Sequence, residues 1–443
     1  MTITSRDTAR NPISSPAAAS ADRLVRGLAL AVFLQWFGAS AIIPMLPEYI
    51  RHRGGSDSLA GLVMAAFFAA GVLFQYPAGR VADRIGRRPV LLTGLVLYAA
   101  ASFAFLAPIG PVVDIGLRAL QGIGAGAVEV AALAMVSAAV NPDRRGKAFA
   151  TIYGGQVAGM AVGPLIGSIL GVNLMWMVFV AAGVTSLAAC LPAVSIVEVR
   201  ARPDERDPDG AHARLSPIRL SPAIIGSLMA SVVLGLTFGV YEICWTLLLK
   251  LRGASGWEVG LSWTLFAVPF VLMARPSGWL ADHLNRKYLV MGGLSLSVVM
   301  CGTYPFLHSV PLLVALGAFE AVGVAVSLPA VQSLLAQTSE PSQFGRVQGM
   351  FSTSQIAAAA VAAAAAGALF GVGASLPFVI TAATGATIMV AIPLVWRSVE
   401  GVVGRPGGSA DAGVDGCPPP PGGGHRAEGG SRSHQPVDGF GVR

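Results

Sequence analysis

The chain has 443 residues, 54% of them apolar and only 12% charged, against about 25% charged in ordinary soluble domains. A water-soluble fold of this length cannot cover its surface with so little charge. The formal net charge of +7 comes from 30 Lys and Arg against 23 Asp and Glu, and because no soluble basic domain collects it, a nucleic-acid partner is excluded.

Apolar runs of the ~20 residues needed to cross a ~30 Å hydrocarbon layer recur along most of the chain. Twelve are expected, at 25–47, 58–79, 89–107, 112–137, 147–170, 174–193, 222–248, 257–279, 288–307, 311–336, 346–370 and 374–396. Backbone amides cannot stay unpaired in lipid, so runs of this length are helices; a barrel needs alternating segments of about ten residues. The predicted fold class is an all-α integral membrane protein with twelve transmembrane helices.

Lys and Arg near helix ends are retained on the cytoplasmic side. With the N-terminus inside, 25 of the 30 fall there; only Arg51, Arg53, Lys250 and Arg252 lie outside, and Arg118 sits within a helix. Both termini are therefore expected in the cytoplasm and the protein in the plasma membrane. The first 20 or so residues lack an apolar core, so no cleavable signal is expected. Cys190, Cys244 and Cys301 fall in apolar runs and Cys417 in the tail, which reads as free thiols rather than a disulfide framework.

Pro77 to Arg88 and Pro276 to Lys287 repeat one pattern: a Pro and a Gly, then Asp and a basic cluster before the next apolar run. Gly79 matches Gly278, an offset of 199. The same offset pairs Gly61 with Gly260, Phe67 with Phe266, Gly94 with Gly293, Gly124 with Gly323, Pro142 with Pro341, Gly146 with Gly345 and Gln156 with Gln355. Both copies begin and end on one side, so the domain is read as two parallel six-helix repeats. The expected organisation is a cytoplasmic segment at 1–24, bundles at 25–193 and 222–397, a cytoplasmic linker at 194–221, and a tail at 398–443. Gly and Pro dominate that tail, which cannot pack a core and is expected to be disordered.

Ionisable residues inside a membrane cost ~2.5–3.5 kcal/mol each at a helix centre, so they mark function. They are Asp114, Arg118, Glu129, Glu242 and Glu320. Asp114 and Arg118 are four apart and spaced to pair. Arg118 and Glu129 are eleven apart and share a helix face, separated by roughly 16 Å along the axis. Glu320 is the repeat partner of Gln121, so equal depth would bring it near Arg118 and Gln121 across a central cavity. A carboxyl there suits reversible protonation, with Arg118 modulating it and Asp114 and Glu129 as further coupling candidates. Phe238, Tyr241, Glu242 and Trp245 form one helix face. That face reads equally as a surface for a lipophilic cation or, at Tyr241 and Trp245, as an interfacial belt. Gln35, Trp36 and Gln121 complete the candidate substrate cavity.

The run Gly79, Asp83, Arg84, Gly86, Arg87, Arg88, in the pattern G-x-x-x-D-R-x-G-R-R, resembles the cytoplasmic signature of the major facilitator superfamily. The resemblance implies a cytoplasmic gate in which Asp83 holds cations or a helix N-terminus of the other half. Asp282 stands in the second copy, where Asn285 replaces Gly86. Gly38-x5-Pro44-x2-Pro47 and the helix-5 run Gly159, Gly163, Pro164, Gly167 are similar to patterns of the twelve-helix drug:proton antiporters, although Ser168 replaces the last expected glycine. Arg118 to Gly124 resembles the superfamily's R-x-x-Q-G-x-G motif.

Together these imply a proton-coupled secondary exporter of small lipophilic or cationic molecules, working by alternating access as a monomer whose partners are its substrate, protons and the bilayer. A proton symporter or facilitator for uptake of a sugar, organic acid or other metabolite is the alternative. A receptor on the same scaffold would be expected to lack a coupling acid. The six His are scattered and no nucleotide-binding loop or metal-ligand cluster is present in the sequence, so neither catalysis nor a cofactor is expected.

Overall fold

The computed structural model describes residues 16–107, 110–195, 220–339 and 343–399. The first 15 residues, most of the expected linker and nearly all of the expected tail lie outside the described residues. Pro44 and Pro47 cannot both sit in an unbroken helix, because proline lacks the amide donor and crowds the preceding turn. The first span accordingly runs as α1 (Pro16–Ile42), a short 3-10 turn at Ile43–Met45, and α2 (Leu46–His52).

The remaining helices of the first half are α3 (Asp57–Ile85), α4 (Arg87–Ala104), α5 (Val113–Ala139), α6 (Pro142–Leu170) and α7 (Met175–Ser195). The second half holds α8 (Pro222–Leu251), α9 (Gly256–Leu272), α10 (Ala274–His283), α11 (Arg286–Thr303), α12 (Val310–Thr338), α13 (Phe344–Val372) and α14 (Leu376–Val395). With α1–α2 and the pair α9–α10, bent by 55°, each counted once, the described residues hold twelve long helical segments, of which ten, or eleven with the bent pair, are long and apolar enough to cross a membrane. The remaining segment is α4, an 18-residue helix that opens on Arg87 and Arg88.

The 199-residue offset is carried into the coordinates. α4 and α11 start and end at equivalent positions, and α3 and α9 start at Asp57 and Gly256. Each of those starts follows a serine N-cap. Ser56 accepts from the Leu59 amide at 3.2 Å, and Ser255 forms a capping box with Glu258, whose carboxylate accepts from the Ser255 amide at 2.8 Å.

Gly86, between α3 and α4, has φ 108°, a conformation that side chains oppose. Its counterpart Asn285 has φ −65° and instead caps α11, accepting from the Lys287 amide at 3.0 Å. The two copies of the turn thus solve one problem in different ways.

Close approach at paired glycines sets the packing. A Cβ on Gly94 would lie 2.7 Å from the Gly124 carbonyl, and one on Gly293 would run into the Gly323 carbonyl. Two further seams join the halves at the end opposite the basic turns. In one, a Cβ on Gly61 of α3 would lie 2.7 Å from the Ala363 carbonyl of α13, and Gly367 abuts the Asp57 carbonyl. In the other, Gly260 of α9 packs on Leu165 of α6 and Gly256 on the Ser168 carbonyl. Gly61 and Gly260 are repeat partners, as are Ser168 and Gly367. The bundle is therefore closed at this end by two equivalent small-residue contacts.

If the halves rock as rigid bodies, the two seams open together. In a cysteine-free background, a thiol at Ser168→Cys is expected to react slowly with a membrane-impermeant maleimide, since Ser168 is 1% exposed. Adding Gly367→Val on the other seam is expected to speed that labelling at least several-fold; an unchanged rate means the seams open independently.

Candidate functional site

A cavity of about 220 Å³ lies between the halves. Helix α1 contributes Trp36 and Ala39; α3 contributes Phe67, Phe68 and Gln75; α5 contributes Arg118 and Glu129; α6 contributes Gln156 and Met160; α8 contributes Phe238 and Glu242; and α13 contributes Gln355 and Ala359. Phe68 and Phe238 meet edge-on across the halves, with ring centroids 5.8 Å apart.

Arg118, 2% exposed, is held in place. Its Nη1 donates to Gln121 Oε1 at 2.8 Å, and its guanidinium carbon stands 4.6 Å from the centre of the Phe67 ring. Gln121 in turn donates to Ser102 Oγ at 2.8 Å. The cation is thus held by an aromatic face and by an amide that a hydroxyl in turn fixes.

Glu242 is the opposite case. It is 1% exposed, and neither carboxylate oxygen has a hydrogen-bond donor among the described residues. Arg118 lines the same cavity but forms no ion pair with it. A buried carboxylate without a donor is costly, so this position favours uptake of a proton or a cation.

The other acids differ from expectation. Asp114 pairs with Arg53, not Arg118, at 2.9 Å from Nη1 to Oδ2. Asp114 lies in the first turn of α5, where a negative charge suits the helix dipole, and the guanidinium following α2 reaches it there. Arg53 also donates to the Tyr49 hydroxyl at 3.2 Å. Arg118, one turn further, points toward Gln121 and Phe67 instead.

Glu320 does not meet Arg118 and Gln121. It lies inside the second half, accepting from Tyr304 OH at 2.6 Å, from Tyr241 OH at 3.0 and 3.2 Å, and from Ser297 Oγ. Both side chains turn back toward the third crossing of their own half: Gln121 donates to Ser102 on α4, and Glu320 accepts from Ser297 on α11.

Tyr241 and Trp245 are neither an interfacial belt nor cavity wall. They are 8% and 7% exposed, and Trp245 Nε1 donates to Ser262 Oγ at 2.9 Å. Gln35 is 1% exposed and lies off the cavity wall, which its neighbour Trp36 joins; Gln121 stands behind the wall, holding Arg118. Phe67, Phe68, Gln75, Gln156, Met160 and Gln355 are cavity residues that sequence reasoning did not select. Gln156 with Gln355, and Phe67 with Phe266, already stood out as repeat pairs, a signal that could have found these three.

At the basic end, Asp83 and Arg84 are exposed, and Asp83 has no hydrogen bond or ion pair among the described residues. Arg88 donates to the Val194 carbonyl in the last turn of α7. Its counterpart Lys287 donates to the Trp396 carbonyl at 2.8 Å and to the Val399 carbonyl, just past α14. Both cations cap a helix C-terminus, where orphan carbonyls and the helix dipole favour positive charge. The Asp282 side chain lies outside the described residues. Gly159, Gly163 and Gly167 form the α6 face that packs on the α1 backbone from Phe33 to Ala41. Pro164 lies within α6, and Ser168 reaches past that face to the α9 seam.

The Arg53–Asp114 pair makes a structural role for Asp114 measurable. Asp114→Ala is expected to strand Arg53 and to destabilise the protein by about 3 kcal/mol. The double variant Arg53→Met/Asp114→Leu is expected to recover most of that loss in thermal unfolding in detergent.

The Major Facilitator Superfamily model matches residues 28–249 and 235–416. Tetracycline resistance protein class E of Escherichia coli is 29% identical over 353 residues, covering 75% of this chain and 84% of that one. Multidrug resistance protein 1 of Bacillus subtilis is 26% identical over 379 residues, covering 83% and 94%. Among solved structures, the human organic anion transporter MFSD10 aligns with a TM-score of 0.61 at 21% identity, over 84% of this chain and 99% of that one. Proteins of this kind are transporters rather than enzymes. The chain, multi-pass and all-helical, belongs to the Major Facilitator Superfamily.

Proposed function

We propose that the chain is a proton-coupled exporter of small lipophilic cations, sited in the plasma membrane with its basic end and both termini in the cytoplasm. The observation that carries this reading is Glu242, a buried carboxylate on the cavity wall with no donor of its own among the described residues. One such group accepts a proton or a cationic substrate but not both, and that competition is the minimum device for antiport.

The surroundings support this selectivity. Trp36, Phe67, Phe68 and Phe238 offer aromatic faces to a lipophilic cation, and Gln75, Gln156 and Gln355 offer amides. Arg118 is fixed within its own half by Gln121, so its contribution to the field at Glu242 is set by how the two halves are docked. Glu129 lies roughly 16 Å from Arg118 toward the basic end, where it meets a cation entering from the cytoplasm.

The closed seams at the far end, and an Asp83 at the basic end that has no partner among the described residues, fit a cytoplasm-facing conformation in which the gate is open. Export, rather than uptake, is supported by the glycine face of α6 and by relatives named for tetracycline and multidrug resistance. In this cycle a proton from outside displaces substrate from Glu242 when the far seams part. Closing them returns the protonated site to the cytoplasm, where the proton leaves and cation binds again. Glu320, caged by three hydroxyl groups, acts as a fixed anchor within the second half.

Proteoliposomes with an imposed proton gradient and a fluorescent lipophilic cation test the assignment. Glu242→Gln is expected to abolish uphill transport, by at least about tenfold, while leaving downhill exchange of the cation measurable. Glu320→Gln is expected to slow transport without uncoupling it. Uphill transport by Glu242→Gln would overturn the assignment to Glu242, and uncoupling by Glu320→Gln alone would move the proton site to Glu320.

A further inference from the structure

We propose that Thr246 is the relay through which a proton from the far end reaches Glu242, a role that rests on Glu242 being the coupling acid. Thr246 lies on α8 four residues beyond Glu242, about 6 Å nearer the end of the bundle opposite the basic turns. It is 1% exposed, and its hydroxyl has no hydrogen-bond partner among the described residues. The other Ser and Thr of this helix behave differently. Ser227 donates to the Ala223 carbonyl at 2.8 Å, Ser231 to the Leu228 carbonyl at 2.8 Å and Thr237 to the Val233 carbonyl at 3.1 Å. A helical hydroxyl commonly returns in this way to the preceding turn. Thr246 does not, and it stands one turn from a carboxylate that also lacks a donor.

The neighbours put this hydroxyl between the cavity and a seam. Gly235, Gly239, Glu242 and Thr246 follow the i, i+4, i+7, i+11 spacing of one helix face. A Cβ on Gly235 would run into the Gln355 carbonyl and one on Gly239 into the Ala359 carbonyl, and Cys244 Sγ donates to the Ala366 carbonyl at 3.7 Å. Helices α8 and α13 therefore run side by side in the same direction, and Thr246 falls level with Ala366 and Gly367. Gly367 is the residue that abuts the Asp57 carbonyl of α3 where the halves meet. Glu242 lines the cavity, whereas Thr246 is off its wall.

This position meets a requirement of the exchange. A cation seated against Glu242 covers it from the cavity, so the displacing proton needs an approach that substrate does not occupy. Side chains four apart on a helix have Cβ atoms about 5–6 Å apart, a gap that one water bridges. When α3 and α13 part, outside water reaches the level of Gly367 and delivers a proton to the Thr246 hydroxyl oxygen. The hydroxyl releases its own proton, through the bridging water, to a Glu242 oxygen. One O–H bond forms on Glu242, one proton leaves the outside water, and the threonine ends as it began. In the closed seam, Gly61 against the Ala363 carbonyl and Gly367 against the Asp57 carbonyl bring the backbones too close for that water, so protons do not leak inward.

The full chain in proteoliposomes, with a fluorescent lipophilic cation, tests the relay through the ratio of proton-driven to downhill cation flux. Thr246→Val keeps the shape of the side chain and removes the hydroxyl; it is expected to lower that ratio at least about tenfold. Thr246→Ser restores a hydroxyl and is expected to keep the ratio near that of the wild type. An unchanged ratio in Thr246→Val overturns the relay, and so does an equal loss of both fluxes, the mark of a packing defect. A ratio as low in Thr246→Ser as in Thr246→Val overturns it too. Glu242→Gln, measured alongside, separates the two failures. If Glu242→Gln is uncoupled while Thr246→Val is not, the relay alone falls; if Glu242→Gln still drives uphill transport, the coupling acid falls and the relay with it.

Discussion

Backbone-to-backbone contact at small residues is the constraint on which this structure rests. Between helices in a bilayer the hydrophobic effect supplies no net drive, because lipid tails are as apolar as leucine, so packing contact must hold the bundle together. Within the halves, Gly94 meets Gly124 and Gly293 meets Gly323; Gly159, Gly163 and Gly167 bring α6 onto α1. Between the halves, Gly61 with Gly367 and Gly256 with Ser168 close one end. These last contacts also bring Arg118 and Glu242, from different halves, onto one wall.

Buried charge obeys a second rule, that each ionised group be paired, caged or functional. Asp114 is paired through Arg53, and Glu320 is caged by Tyr241, Tyr304 and Ser297. Glu242 has neither provision among the described residues. Three carboxylates of comparable burial thus have three fates, and the difference lies in their neighbours rather than in their depth.

The repeat made much of this legible before any coordinates. A shared 199-residue offset marks helix starts, the glycine contacts inside each half, and Gln156 with Gln355. It reports depth along the membrane normal, which is set by sequence position in a helix. It does not report rotation about the helix axis, which is set by packing. Glu320 and Gln121 therefore face their own halves although they are repeat partners, and Asp114 finds a cation on α2's end that no spacing rule within α5 could indicate. The resemblance implies a gate at the turn residues, and the structure adds that Arg88 and its repeat partner Lys287 cap helix ends. A basic cluster beside an apolar run does not reveal which carbonyl it serves.

Extending the same offset across the cavity wall shows where the symmetry fails. Ala39 and Phe238 both line it, as do Met160 and Ala359, and Gln156 and Gln355. Ile43 and Glu242 are also equivalent and both at the wall, so the carboxylate takes the place that an aliphatic side chain fills in the first half. Arg118 corresponds to Gly317, beside which the Trp245 ring packs, 3.4 Å from where a Cβ would stand. The first half therefore supplies the fixed cation and the second the unpartnered acid. Neither half alone brings the two onto one wall, so the electrostatics of the cavity depend on how the halves are docked. In the proposed cycle, a rocking motion that parts the glycine seams changes the field at Glu242 at the same moment that it changes which side of the membrane the cavity faces, and the proposal needs that link between conformation and proton affinity.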